Sequence, residues 1–233
     1  MAQLSDALGA LARGLPQDGG ALEEGAYAYR CDGELQPIEE RWSIHAGDGE
    51  QRIIVSHREV PALQLRIGTA ALISERRIAA MYTCWLCAAP RRDIASFTAL
   101  NETILSSERY VYGHRESDDR QRTDSDPLLY PLMRIYLGMT IEAVVARGGA
   151  AELVVPDIRH VEDEARLLQP LLSRRTAKLL AADDRERCYQ FIGDQYDASA
   201  RFWLDDSGRL LRYRWVQEST ESTKIKHWEV ESL

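Results

Sequence analysis

At the start of the chain, apolar positions recur at helical spacing. Leu4, Ala7, Leu8 and Leu11 form one stripe of a helix over residues 2–13, with Pro16 and Gly19-Gly20 as its stop. From Ala26 onward the period becomes two. Tyr27, Tyr29 and Cys31 alternate with Ala28 and Arg30, and Ile38, Trp42 and Ile44 lie opposite Glu39, Arg41 and Ser43. Gly47-Asp48-Gly49 reads as a turn and Arg52 to His57 as the returning strand. Leu63, Leu65 and Ile67 alternate with Gln64 and Arg66. Arg77 to Cys87 predicts a longer strand closed by Pro90, and Ile94 to Leu100 and Ile104 to Tyr112 predict two more. Short strands separated by turn residues indicate an antiparallel meander rather than βαβ units.

Residues 114–126 (HRESDDRQRTDSD) are charged and aperiodic, which predicts a solvated loop. Thr140 to Arg147, followed by Gly148-Gly149, reads as a helix with a glycine stop, although Ile141, Val144 and Val145 also suit a strand. Ala151 to Ile158 predicts a strand interrupted by Pro156, and residues 162–182 a helix broken at Pro170. In the C-terminal part, Arg187 to Ile192 leads into Gly193-Asp194, the chemistry of a two-residue type II′ turn. Gln195 to Leu204 and Arg209 to Gln217 then flank a turn at Asp205 to Gly208. With that register Tyr189, Phe191, Tyr196, Ala198, Ala200, Phe202, Leu204, Leu211, Tyr213 and Trp215 share one face. Gln190, Asp197, Ser199, Arg201, Trp203, Arg212 and Arg214 share the other, with Arg201 opposite Arg212. Lys224 to Val230 adds a last edge strand. The predicted fold is mainly β with minor α, in a single domain over residues 1–233. Residues 1–20 form its helix and linker, and residues 24–233 its body.

Composition narrows the partners. Asp and Glu number 37 against 29 Lys and Arg, giving a net charge of −8, so nucleic acid is not an expected partner. No apolar run approaches the roughly 20 residues of a membrane span. The N-terminus lacks the basic start and apolar stretch of a signal peptide, so the expected location is cytoplasmic. Four cysteines in 233 residues do not make a disulfide scaffold.

Cys84-Trp85-Leu86-Cys87 is a C-x-x-C, but it falls in a strand, where residues three apart point to opposite faces. Redox chemistry would need the first thiol at a helix start, and zinc a second close pair. Buried structural cysteines are the better reading. The five histidines form no helical metal pair. His160 beside Glu162 and Asp163 could serve as a base with an orienting carboxylate, or simply sit favourably at a helix start. No nucleophile elbow, phosphate loop or dinucleotide fingerprint occurs, so no catalytic residue, metal or cofactor is indicated. The arginine-bearing face of the last hairpins is either a platform for an anionic headgroup, with Trp203 as an apolar neighbour, or a solvated face whose guanidinium groups pair with carboxylates. Aromatics at period two are usually core, but in a curled sheet they can line a cavity.

The succession of antiparallel strands, then YPLMRIYLG, GGAAELVVPDI, LQPLLSRR and the terminal FWLDDSGRLLRYRW, resembles bacterial glycolipid-binding proteins whose curled β-roll is related in shape to the lipoprotein-carrier fold. The resemblance covers residues 26–217. It implies a curled antiparallel β-roll or open barrel with a few helices, and a cavity for a lipid-like ligand. Its expected function is therefore non-enzymatic binding of an apolar or amphiphilic small molecule. Trp42, Trp85, Phe202, Trp203, Tyr213 and Trp215 are the candidate liners, and Arg201, Arg212 and Arg214 the candidate headgroup contacts. Two alternatives stay open. One is a structural or oligomerising protein, such as a homodimer, acting through a sheet edge or exposed apolar patch. The other is an enzyme with an unrecognised site, using His160 or His57.

Overall fold

The computed structural model describes residues 2–14, 20–194, 196–218 and 225–233. It contains helix α1 (Ala2–Ala12), helix α2 (Leu137–Ala146) and sixteen strands. Strands β1 (Glu23–Cys31), β2 (Glu34–Leu35), β3 (Glu39–Ala46), β4 (Arg52–Val60), β5 (Leu65–Ser74), β6 (Arg77–Ala88), β7 (Arg91–Asn101), β8 (Ile104–Val111) and β9 (His114–Arg122) precede α2, as does β10 (Leu128–Leu129). After α2 come β11 (Ala150–Pro156), β12 (Pro170–Ala182), β13 (Arg187–Ile192), β14 (Arg201–Leu204), β15 (Leu210–Glu218) and β16 (Ile225–Ser232).

All sixteen belong to one curled, open sheet. Its order is β10-β11-β12-β13-β14-β15-β16-β1-β3-β4-β5-β6-β7-β8-β9, with β2 beside β1. Every pairing is antiparallel except β10–β11. The sheet curls around a core that draws residues from both halves of the chain, from Tyr27, Ile54 and Met81 to Phe191, Phe202 and Tyr213. The segment from Leu128 through α2 fills this interior, burying Tyr130, Met133, Tyr136, Ile141 and Val144. Room for it comes from small hydroxyl side chains. Ser56, Thr69, Thr83 and Ser96 lie in register across β4, β5, β6 and β7 and are all buried. The Tyr136 hydroxyl accepts from Thr69 Oγ1 at 3.2 Å and donates to the Ile54 carbonyl at 2.7 Å, so the plug is hydrogen-bonded to the wall as well as packed on it.

Helix α1 covers the outer face of β4 to β6, where Leu8, Leu11 and Ala12 pack on Val55, Ala70, Tyr82 and Cys84. Of the expected stripe, Leu8 and Leu11 are buried and Leu4 half-buried, while Ala7 is exposed. Of the expected stop, Pro16 and Gly19 lie outside the described residues. Helix α2 ends where Gly148 and Gly149 adopt φ of 83° and 89°, a region that favours glycine.

Several expectations are corrected. Residues 114–122 are a strand, not a loop: β9 pairs with β8 from Ile104↔Arg122 onward. Its side chains are almost all exposed because it has a neighbour on one side only, and a charged edge resists further pairing. The helix expected over 162–182 is absent. Residues 170–182 form β12, paired with β11 and β13, and the helix propensity of its Leu, Ala, Arg and Lys residues yields to two ladders of backbone hydrogen bonds. Leu167 and Leu168 pack on Ile94, and the carbonyl of Leu167 accepts from Arg109 Nε at 3.3 Å, which holds residues 157–169 as a strap across one end of the curl.

The turn after β13 closes between Gly193 and Tyr196, which exchange hydrogen bonds of 2.9 and 3.2 Å, one residue later than Gly193-Asp194 would place it. The expected strand start at Gln195 lies outside the described residues. A bulge between Trp203 and Leu204 pairs Leu204 with Leu210, so Leu210 rather than Leu211 is buried. The same alignment sets Arg201 opposite Arg214 and Trp203 opposite Arg212. Ala198 is exposed, in a turn between the strands. Lys224 lies outside the described residues, and β16 is no edge: it sits between β15 and β1.

Candidate functional site

Two features stand out inside the curl. The first is a cleft of about 1180 Å³ at one end, between α2 and the walls of β3 to β6 and β13. Met139, Glu142, Ala143 and Ala146 face it from α2 at positions i, i+3, i+4 and i+7, while Leu137, Ile141 and Val144 on the opposite side are fully buried. Ile44, Ile54, Ile73, Leu128 and Ile135 complete an apolar floor. The rim carries six arginines. Arg77 and Arg147 both hold Asp126, each at 2.6 Å, Arg187 pairs with Glu142 at 2.7 Å, and Arg209 with Glu23 at 2.5 Å. Arg52 and Arg76 pair with no carboxylate among the described residues.

The second feature is a buried polar cluster around Glu40. This carboxylate is fully buried and accepts from Arg58 Nε and Nη2 at 2.8 and 2.6 Å, from the Arg134 backbone N–H at 2.7 Å, and from the Tyr29 hydroxyl. Burial pushes its pKa up, but the charges of Arg58 and Arg134 and these hydrogen bonds outweigh that and hold it below the usual carboxylate range. Arg134 lies over the rings of Tyr213 and Tyr29, at 5.1 and 5.7 Å. The alternation contained the signal for Glu40, since it shares the parity of Trp42 and Ile44. A carboxylate on the apolar side of a strand needs a buried partner.

The nine candidate residues fall in three places. Trp42, Phe202, Tyr213 and Trp215 belong to the filled interior. Phe202 stacks on Tyr213, Tyr213 on Trp215 and Trp215 on Trp228, with centroids 5.2, 4.9 and 5.4 Å apart. Trp42 comes nearest the cleft, lying 5.2 Å beneath the guanidinium of Arg209 on its rim. Trp85 packs with Ile94 and the strap. Arg201, Trp203, Arg212 and Arg214 are on the outer face, where Arg212 pairs with Glu186 and Arg214 with Glu229. The structure does not bring these nine together into one pocket.

Cys84 is fully buried and its thiol is pushed up to about 11 by burial. Cys31, Cys87 and Cys188 are half-buried, and none of the four is in a disulfide. His57 Nε2 lies 3.1 and 3.0 Å from the carbonyls of Leu11 and Ala12, so it donates to the C-terminus of α1. His160 Nδ1 is 3.0 Å from Asp157, not Glu162 or Asp163, on the surface of the strap. Among the described residues no group of three or more His, Cys, Asp or Glu could hold a metal ion, and no helix is long and apolar enough to cross a membrane.

No family model matches the chain, and no curated protein matches it. Among solved structures it is similar to a β-barrel-like protein of the domain of unknown function DUF1849 from Brucella abortus. The identity is 7%, the TM-score 0.44, and the match covers 92% of this chain and 98% of that one.

Proposed function

We propose that the protein binds an apolar or amphiphilic, lipid-like small molecule, without acting on it, in the cleft beside α2. The observation that carries the reading is the apolar floor of Ile54, Ile73, Ile135, Met139 and Ala143 beneath Arg52 and Arg76, the rim cations without a carboxylate partner among the described residues. The cleft's volume of about 1180 Å³ suits a drug- to lipid-sized ligand, for which pockets are usually about 300–1,000 Å³. An anionic head would meet the two arginines while the tail lies along Met139 and Ala143.

Titration with a fluorescent long-chain fatty acid tests this. Saturable binding is expected, with at least a tenfold loss in Ala143→Trp, which fills the floor, and a smaller loss in the Arg52→Gln/Arg76→Gln pair. Met139→Lys, which charges the floor without filling it, serves as the second blocking variant. Absent binding, or equal affinity in both floor variants, overturns the reading.

A further inference from the structure

Beyond the cleft, the interior of the curl holds more buried donors than acceptors. Glu40 is saturated by Arg58, Tyr29 and the Arg134 backbone, leaving the Arg134 guanidinium with one long contact, from Nη1 to the Leu132 carbonyl at 3.5 Å. Arg175 reaches Asp194 through Nη2 at 3.3 Å. Among the described residues, its Nε and Nη1, the Nε of Arg134 and the hydroxyls of Tyr196 and Tyr213 are buried without any partner. These four residues are among the least exposed polar side chains in the protein: Arg134 is 7%, Arg175 2%, Tyr196 5% and Tyr213 0% exposed.

They also occupy one neighbourhood. Arg134 lies 5.1 Å over the ring of Tyr213, whose centroid is 5.9 Å from that of Tyr196. Tyr196 is 6.2 Å from Phe191, over which Arg175 lies at 6.0 Å. Tyr130, fully buried, feels the charges of both arginines. Among the described residues, the carboxylates paired with Arg58, Arg134 and Arg175 are Glu40 and Asp194, two negative charges against three positive ones. Water could satisfy the unpaired N–H and O–H groups, but it would leave the third positive charge uncompensated in a medium where buried charges are paired.

We propose that the interior of the curl is a binding site for one small oxyanion, a carboxylate or phosphate group, held by Arg134, Arg175, Tyr196 and Tyr213. The guanidinium groups supply charge and the hydroxyls supply directional donors. None of the four lines the cleft, so the site stands whether or not the cleft binds an amphiphile. The oxyanion is either free in solution or the head of an amphiphile reaching inward.

The test is the unfolding midpoint of the full chain, dialysed into chloride, against added inorganic phosphate and, separately, dodecyl phosphate at constant ionic strength. The midpoint is expected to rise with one of them and to rise less than half as much in the Tyr196→Phe/Tyr213→Phe variant. That variant keeps both rings and removes only hydroxyls that have no partner in the fold. A rise with phosphate identifies a free oxyanion, and a rise with dodecyl phosphate alone identifies a head group. A native mass above that of the chain by one oxyanion, lost in Arg175→Gln, supports the site independently, even where tight retention hides the shift. No shift and no added mass, or an equal shift in the tyrosine variant, overturns it.

Discussion

Arg58 donates from both Nε and Nη2 to a single oxygen of Glu40, directly across the β3–β4 ladder. The carboxylate is wholly buried and the arginine side chain is 14% exposed, so solvent screens the pair little. Breaking a buried pair from one side strands the other charge, which costs about 3–5 kcal/mol. Glu40→Gln strands Arg58, and it weakens the bond that fixes the start of the plug at Arg134. The expected outcome is a destabilisation of that size in urea titration. The sign with pH follows from a carboxyl held below its ordinary value: its contribution is present above the unfolded pKa and lost as pH falls through the folded one. Glu40→Gln should therefore remove part of the wild-type acid sensitivity.

His57 gives the opposite kind of group. Burial and the nearby charge of Arg66 push its pKa below the ordinary value of 6.5, because only the neutral ring fits against Arg66 while donating to the end of α1. A depressed histidine favours the fold above its unfolded pKa, and that contribution fades as pH falls through the folded value. Unfolding midpoints between pH 7.5 and pH 5 should fall more in the wild type than in His57→Gln. A parallel decline in both would assign the sensitivity elsewhere.

β1 and β3 were legible from alternation, because one face is apolar and one polar; β5 to β7, buried on both faces in their middles, were legible as apolar runs bounded by turn residues. β9 and β12 were not. HRESDDRQR has no apolar face because an edge strand on the solvent side needs none, and PLLSRRTAKLLAA reads as helix until its two neighbours are known. A turn one residue longer than expected, which pairs Leu204 with Leu210, and the bulge at Trp203/Leu204 together move Arg201 from Arg212 to Arg214. The cleft was illegible for a different reason. Arg52, Met139 and Arg187 come from three distant parts of the chain, and only the curl of the sheet gathers them. Glu40 was readable in part, as a charge on the apolar parity of β3, whereas Arg58 falls one residue past the expected strand and Arg175 lies in a segment that reads as helix.

The outer face of β14 and β15 supports a prediction about what the arginines there do. Arg212 lies 4.6 Å and Arg214 5.8 Å over the ring of Trp203. Arg212 also holds Glu186 with two bonds of 2.8 and 2.7 Å. The arginine side chain is 32% and the glutamate 24% exposed, so their coupling should be about 0.5–1 kcal/mol in a double-mutant cycle with Glu186→Ala. Because these cations already have carboxylate partners and do not line the cleft, Arg212→Gln should leave fatty-acid binding unchanged. A tenfold loss there would restore this face as the headgroup site.

Gly68 marks where α1 meets the sheet. A Cβ built on it would lie 1.8 Å from the carbonyl oxygen of Ala12 and 3.0 Å from the sulfur of Cys84. Neither is the free end of a flexible chain, so the helix itself must move. That carbonyl is also the acceptor for His57 at 3.0 Å and for the Cys84 thiol at 3.4 Å. One added methyl group would therefore break a cap and a thiol contact together with the apolar packing of Leu8 and Leu11. Overpacking of this kind costs about 1–3 kcal/mol. Gly68→Ala should lower stability by that amount while leaving the interior core and the cleft in place. Hydrogen exchange checks this locally: protection should fall in residues 2–12 and on the outer rows of β4 to β6, and be kept at Tyr136 and Ile141 inside the curl. Uniform loss of protection would mean that α1 is part of the cooperative core rather than a layer added to its outside.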